Sequence, residues 1–569
     1  MQSRLKLWGG VILLCIAGMS LFLSTSRVVA QETDRPANLF GAIYDSQGTP
    51  LAEADVFLLS ALESDPLAEA ETQADGSFAL TAPDVLPDQL SLQIAHTHFE
   101  THIIELDEDN VASLRAGEAV VIEDVTLPRH IGLAFWIAAG VFVLMLALIG
   151  TGRLHNALAA LLGAAMVFAF SYLGRPLTEE FFIFEFERAL HYVDWNVIFL
   201  VMGMMIVIAV VERTGIFQWL AFMAFRLSGG RVWLLMPILM VIAGVASAFL
   251  DNVTTMLLMT PITVQISLAL GISPLMLLIP IVMASNVVGI STLIGTPTNI
   301  LIGSYANISF SAFLINLTPG VVLAMIGLVA YSLFTYRHEL RAAGEASPLL
   351  MEKLAERARI TESKNLKKAG VVGAAMLVLF IIGEQFHLLP AVTAIMGSTA
   401  LLVWIRPDIE EMIEAVDWTT LVFFMALFMV VGAIEEVGLV SLIADAIGKM
   451  VGDNLMAAMM AVTWMSAFFS MAIDNIPFTA AMLPVVGYLS ATIPGAGDKV
   501  LFFCLSVGAA MGGNGSLIGA SANLVTAGIA ERAGYPITYM YFLKKGVPAL
   551  IITVGLASLW LLLKFLVLQ

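Results

Sequence analysis

ASAFLDNVTTMLLMTPITV, residues 246–264, sets one Asp-Asn pair inside an apolar stretch, and SAFFSMAIDNIPFTAAMLPVV, residues 466–486, sets a second pair in the same way. A carboxylate at membrane depth is costly and by default marks an ion or substrate path. A pair repeated once per half of the chain points to related sites near the bilayer midplane, as in secondary transporters.

The repeat extends well past the pairs. At an offset of 223 residues, Val193-Asp194-Trp195 recurs as Val416-Asp417-Trp418, Glu212 and Gly215 recur as Glu435 and Gly438, and Pro261 recurs as Pro484. STLIGTPTN, residues 291–299, recurs as GSLIGASAN, residues 515–523, at an offset of 224. One inserted residue reconciles the two offsets, and intervals kept over so much chain mark an internal duplication.

Composition places the duplicated part in a membrane. Hydrophobic residues make up 59% of 569 positions and the mean hydropathy is +0.91. Apolar runs long enough to span recur from about residue 131 onward. The net charge of −18 is local, because residues 31–130 carry 20 Asp and Glu against Arg35, Arg115 and Arg129, a balance of −17. That segment does not suit nucleic acid. Cys15 and Cys504 both lie in apolar runs, which leaves no disulfide framework or cysteine metal site. A transporter rather than an enzyme is expected, with no cofactor beyond the ions it moves.

Residues 1–30 read as an export signal, cleaved or kept as an anchor: Arg4 and Lys6, an apolar core from Leu7 to Leu23, then Val28-Val29-Ala30. Residues 31–130 follow as an exported domain. Its runs LFGAIYDSQGTPLAEADVFLL, TQADGSFALTAP and LSLQIAHTHFETHIIEL alternate with period two and break at turn residues, which predicts a small antiparallel β-sandwich. His96, His98 and His102 fall on one face of a strand in this reading. Without a fourth ligand they are a surface cluster.

Counting then sets topology. From an exported domain, Ile131 to Gly150 crosses inward, Leu154 to Leu173 outward and Trp195 to Glu212 inward. Gly215 to Phe225, basic at its flanks, reads as an interfacial helix. Arg231–Leu250 and Thr254–Leu270 form a re-entrant hairpin turning at Asp251-Asn252. Pro274 to Leu317 crosses outward with a break at Gly295-Thr296-Pro297, and Pro319 to Tyr336 returns. Five crossings place residues 337–368 in the cytoplasm, and their eight Lys and Arg are what the positive-inside rule requires there. Because five is odd, the repeat at 369–569 is inverted relative to that at 131–336. The fold expected is an all-α polytopic membrane protein of two inverted repeats, each with a re-entrant hairpin and a discontinuous helix, preceded by the β-sandwich.

The chemistry follows from what a desolvated cation needs. Hard cations take oxygen ligands, and an interrupted helix frees backbone carbonyls to supply them where they line a protected cavity. Gly295 and Gly519 provide the breaks; Thr296, Thr298, Asn299, Ser521 and Asn523 add side-chain oxygens. Asn252 and Asn475 brace the hairpin tips. Asp251 and Asp474 supply formal charge, and a proton competing with a cation for one carboxylate is the simplest antiport device. The alternatives are hydrogen-bonding glue for the Asn and Thr residues and helix capping for the aspartates. Glu212 and Glu435 lie at span ends and rank below the aspartates.

LDNVTTMLLMTPIT, GTPTNILIGS, IDNIPFTAAMLP and GSLIGASANLV, in that order over residues 131–569, resemble the paired signatures of the ion transporter superfamily. That superfamily includes arsenite permeases, NhaD-type sodium/proton antiporters, the pink-eyed dilution protein and citrate or dicarboxylate carriers. The resemblance implies a homodimer in the lipid bilayer of the inner (plasma) membrane, with a scaffold and a mobile transport domain. It implies ion or substrate sites at Asp251, Asn252, Thr255, Gly295, Thr296, Asn299, Asp474, Asn475, Thr479, Gly519, Ser521 and Asn523. The second half departs from the first in having Ala520-Ser521-Ala522, without proline. The exported segment resembles the prealbumin-like carboxypeptidase regulatory domain through Gly41, Asp45, Gly48, Pro50, Leu51, Ala54, Val56, Asp75, Gly76 and Phe78, which implies a binding or spacer module.

Within the superfamily, fixed acids where dicarboxylate carriers show Ser-Asn-Thr repel an anion unless cations screen them. No Lys or Arg falls inside the four motifs to clamp a carboxylate. Both facts favour sodium or another cation exchanged for protons. Symport of an organic anion such as citrate, arsenite export, and a membrane-anchored sensor remain as alternatives; for the sensor, the cytoplasmic loop is short for a folded output domain. The topology makes a direct prediction: a cysteine replacing Ser347 should react with impermeant thiol reagents only from the cytoplasm, and one replacing Gln569 only from outside. Labelling of both from one side contradicts inversion.

Overall fold

A computed structural model describes residues 39–45, 48–60, 65–83, 85–342 and 360–568. The expected export signal and much of the basic loop, including Ser347, lie outside the described residues. The chain divides into two units, residues 1–130 and 131–569.

Among its described residues the first unit holds eight strands: β1 (Leu39–Asp45), β2 (Asp55–Ser60), β3 (Ala68–Glu71), β4 (Ser77–Leu80), β5 (Leu90–Ala95), β6 (His102–Glu105), β7 (Val120–Val121) and β8 (Val125–Leu127). One sheet runs β3-β2-β5-β6 and is antiparallel throughout; the other centres on β1, paired antiparallel with β4. Leu39, Ile43, Val56, Leu58, Leu92, Ile94 and Leu127 form its core, each from the buried phase of an alternating strand. Two expectations need correction. β1 pairs in parallel with β7 and β8, to which the chain returns from the other sheet through helix α1 (Glu108–Arg115), capped by Asp107. The three histidines do not share a strand: β5 ends at Ala95, and His96 and His98 lie in the turn before β6, His98 at φ 66°.

The second unit opens with α2 (Leu133–Gly150), α3 (Asn156–Phe168, continued by a π-helical turn to Gly174) and α4 (Phe186–His191). A core helix α5 (Trp195–Arg213) leads through Gly215, at φ 77°, into the short amphipathic α6 (Ile216–Leu227). Then come α7 (Val232–Phe249), α8 (Asn252–Ala269), α9 (Leu275–Gly289), α10 (Pro297–Tyr305), α11 (Phe310–Thr335) and α12 (Arg337–Ala342). After the basic loop follow α13 (Ser363–Ile382), α14 (Pro390–Ile405), α15 (Ile409–Glu414), α16 (Trp418–Glu436), α17 (Leu439–Val451), α18 (Leu455–Ala472), α19 (Asn475–Thr492), α20 (Val500–Gly512), α21 (Ser521–Arg532) and α22 (Tyr539–Leu566). Among the described residues, ten helices are long and apolar enough to cross a membrane.

The duplication is visible element by element. Helices α4, α5, α7 and α8 match α15, α16, α18 and α19 at both ends with the same 223-residue offset. Their inversion is visible in two ion pairs. Arg213, ending α5, meets Glu411 just before α16 begins, at 2.6 Å; Glu436, ending α16, meets Arg188 just before α5 begins, at 3.4 Å. Each core helix therefore ends where its counterpart starts, so the two run antiparallel. The pairs are also mates under the repeat with their charges exchanged: Arg188 corresponds to Glu411 and Glu436 to Arg213.

One boundary differs from the sequence reading. The outward leg ends at Tyr305, and α11 runs unbroken through Pro319 instead of beginning there. A proline is tolerated in a packed membrane helix when its surroundings absorb it; Pro319 leaves the Ile315 carbonyl without its intrahelical donor, and at the adjoining Asn316 carbonyl Trp560 Nε1 donates at 2.7 Å.

The two ion pairs differ in burial, Glu436 being 13% exposed and also bonded to the Tyr192 hydroxyl, while Glu411 is 56% exposed. Exposed pairs are worth about 0–1 kcal/mol, whereas stripping a half-buried hydrogen-bonded carboxylate costs about 1–3 kcal/mol. Glu436→Ala should therefore lower the melting temperature in detergent more than Glu411→Ala does, and the reverse order would contradict this ranking.

Candidate functional site

Each hairpin turns on an aspartate that caps its second arm, Asp251 for α8 and Asp474 for α19. Four main-chain N–H groups at a helix start lack partners, and a carboxylate placed there satisfies one or two of them. Asp251 accepts from the Thr254 N–H at 2.9 Å and from Thr254 Oγ1 at 2.5 Å. Asp474 accepts from the Ile476 N–H at 3.1 Å and from Ser521 Oγ at 2.6 Å.

The tips lie against the breaks. Between α9 and α10, residues 290–296 are non-helical, and Gly295 sits so close to the first hairpin that a Cβ there would lie 2.6 Å from the Ser247 carbonyl oxygen. Gly519 stands in the same relation to Ser470 in the second half, at 2.8 Å. Thr292 Oγ1 donates to the Ala248 carbonyl, and Ser516 Oγ to the Met471 carbonyl at 2.5 Å, fastening each break to its own hairpin. The halves then interlock, α8 packing on α21 and α19 on α10.

Asn299 and Asn523 do equivalent work. Asn299 Nδ2 donates to the carbonyls of Ile290 and Thr292 at 2.9 and 2.8 Å, and Asn523 Nδ2 to those of Gly513 and Ser516, both at 2.9 Å. Their oxygens accept from the opposite half, Asn299 from Ser506 Oγ at 2.5 Å and Asn523 from Asn286 Nδ2 at 3.1 Å. Asn252 Nδ2 donates to Asn286 Oδ1, and Asn286 donates also to Asn514. Of the other expected site residues, Thr296 bonds Thr298 at 3.1 Å, Thr479 bonds the Asn475 carbonyl of its own helix, and the buried Thr255 hydroxyl has no partner. Buried Asn286, Asn514 and Ser506 were missed by sequence reasoning. They have no counterparts across the repeat, and the signal that marks them is a lone polar residue in an apolar membrane run.

A cleft of about 500 Å³ opens beside this assembly, at the end of the bundle where α5 finishes and α16 begins. Glu212, Asp251 and Asp417 line it together with His155, Thr420 and Ser521; among the described residues no Lys or Arg does. The repeat-related positions of the other half differ in side-chain size. Tyr192 lies over Gly432, where a Cβ would stand 2.3 Å from the ring, and its hydroxyl bonds Glu436. The corresponding residues on the open side are Ala415 and Ala209, both at the cleft wall.

The asparagine network gives a stability prediction. Asn286→Leu leaves Asn252, Asn514 and Asn523 each short of a partner in a dry interior, where an unsatisfied group costs about 1–3 kcal/mol. Thermal unfolding of the purified protein should shift down accordingly; an unchanged midpoint would show that the network adds nothing.

Comparison with known proteins agrees with this geometry. The citrate transporter family (CitMHS) profile matches residues 141–501. An uncharacterised transporter of Mycobacterium tuberculosis is 35% identical over 433 residues, 76% of this chain and 99% of that protein. The P protein of Homo sapiens is 32% identical over 515 residues, covering 76% of this chain and 60% of its own length, and an uncharacterised transporter of Synechocystis is 30% identical over 444 residues, 74% of this chain and 95% of that protein. A duplicated helical unit with polar hairpin tips, matched over most of its length by such relatives, is a multi-pass plasma-membrane transporter, and the chain belongs to the citrate transporter (CitMHS) family.

Proposed function

We propose that this chain is a cation/proton antiporter, with sodium or lithium as the cation, working as a homodimer in the inner membrane. The observation that carries this reading is the acidic cleft: Asp251, Glu212 and Asp417 face it, and among the described residues no Lys or Arg lines it. Such a cleft concentrates cations and repels a di- or trianion. A carboxylate at its end, beside backbone carbonyls of an interrupted helix, can take either a proton or a cation, and loading one displaces the other. By the positive-inside rule the open cleft faces the cytoplasm and the Tyr192 side faces outward.

Uptake of an organic anion together with cations is the second reading. The family's description as citrate transporters favours it; bound cations would then screen the acids. The domain at 31–130 is read as an exported binding or spacer module outside the transport path.

In liposomes loaded with a pH-sensitive dye, sodium or lithium added to acid-loaded vesicles should dissipate the pH gradient, and Asp251→Asn should cut the rate about tenfold or more, since Asn cannot exchange a proton. Electrogenic uptake of citrate or succinate without any sodium-driven proton movement would establish the second reading instead.

A further inference from the structure

The two hairpin tips match residue for residue at the aspartates yet bond differently, because a proline and a hydroxyl have traded places between the halves. The residue three after Asp251 is Thr254, which donates through both its N–H and its hydroxyl. Its counterpart after Asp474 is Pro477, which has neither donor. Conversely, the residue that opens α21 is Ser521, whose hydroxyl donates to Asp474, and its counterpart opening α10 is Pro297, which cannot. Each half thus has one side-chain hydroxyl donor for its aspartate, at opposite positions.

The consequence is mechanical. Among the described residues Asp251 is capped from its own helix, with no side-chain bond from it to α10, and it is partly exposed in the cleft. Asp474 is tied across 47 residues to another element and is 4% exposed. Ser521 itself lines the cleft, and its hydroxyl bonds Asp474, which does not.

We infer that Ser521 is a positioning residue that staples Asp474 to α21 and withholds it from the cleft, leaving Asp251 as the carboxylate that exchanges its ligand there. This rests on the antiport reading.

The direct test does not depend on transport. The purified full chain is treated with dicyclohexylcarbodiimide, which modifies membrane carboxyl groups, and both aspartates are read by mass spectrometry. The intact protein should be modified at Asp251 with Asp474 spared. Ser521→Ala should raise modification of Asp474 by about tenfold, the scale of one lost charge-assisted hydrogen bond, and Ser521→Thr should keep it spared. Equal modification of the two aspartates in the intact protein, failure of Asp251 to react, or an alanine variant in which Asp474 stays spared would each overturn the assignment. The intact-protein comparison stands even where a variant does not fold. Absence of any sodium-driven proton movement would instead sink the antiport reading and leave the labelling result on Ser521 as it is.

Discussion

An interrupted helix inside a membrane must find partners for backbone groups that hydrocarbon cannot satisfy, and much of this transporter's architecture answers that requirement. Each break leaves carbonyls without intrahelical N–H donors, and one asparagine per half, Asn299 or Asn523, takes two of them. The asparagine oxygens are then held by the other half. Neither break is thus held by its own repeat alone, and the interlock of α8 on α21 and α19 on α10 serves the same end. Gly295 and Gly519 permit the tip of a hairpin to approach closely enough for Thr292 and Ser516 to reach it.

With the breaks satisfied in this way, the aspartates are free for a second task. A helix cap needs only an acceptor, and Asn serves about as well as Asp there. A formal charge adds nothing that capping requires, so the charge that Asp251 presents to the open cleft is best explained by a charged ligand. The surroundings agree in sign: the open cleft adds Glu212 and Asp417 to Asp251. The inverted repeat gives both faces the same parts, and side-chain size makes them unequal, Tyr192 over Gly432 on one side against Ala415 and Ala209 on the other.

Most of the membrane fold was legible because duplication doubles every signal. Asp251 and Asp474, Gly295 and Gly519, and Asn299 and Asn523 stand out by recurring, and each lies at a tip or break. What recurrence could not show is whatever the halves do not share: Asn286, Asn514 and Ser506, the exchange of Thr254 for Pro477, and the Tyr192 ring over Gly432. Pro319 misled because a proline within an apolar run looks the same whether it ends a helix or is absorbed by one. In the β domain, strand periodicity located the core, but the parallel pairing of β7 and β8 with β1 joins strands far apart in the chain, which local alternation does not encode. Turn residues hid the fate of the histidines, since His98 adopts a left-handed conformation that strand alternation does not anticipate.

The claim on which the rest depends is that a cation binds among these carboxylates. A ligand that binds the folded state alone raises its stability as the logarithm of its concentration, by about 2.7 kcal/mol at a hundred times its dissociation constant. Melting temperature of the purified protein, titrated with sodium or lithium against choline at constant ionic strength, measures this directly. The account predicts a saturable rise that weakens as pH falls and protons compete, and that disappears in Asp251→Asn. A rise with citrate in choline alone, and none with sodium or lithium, would contradict it.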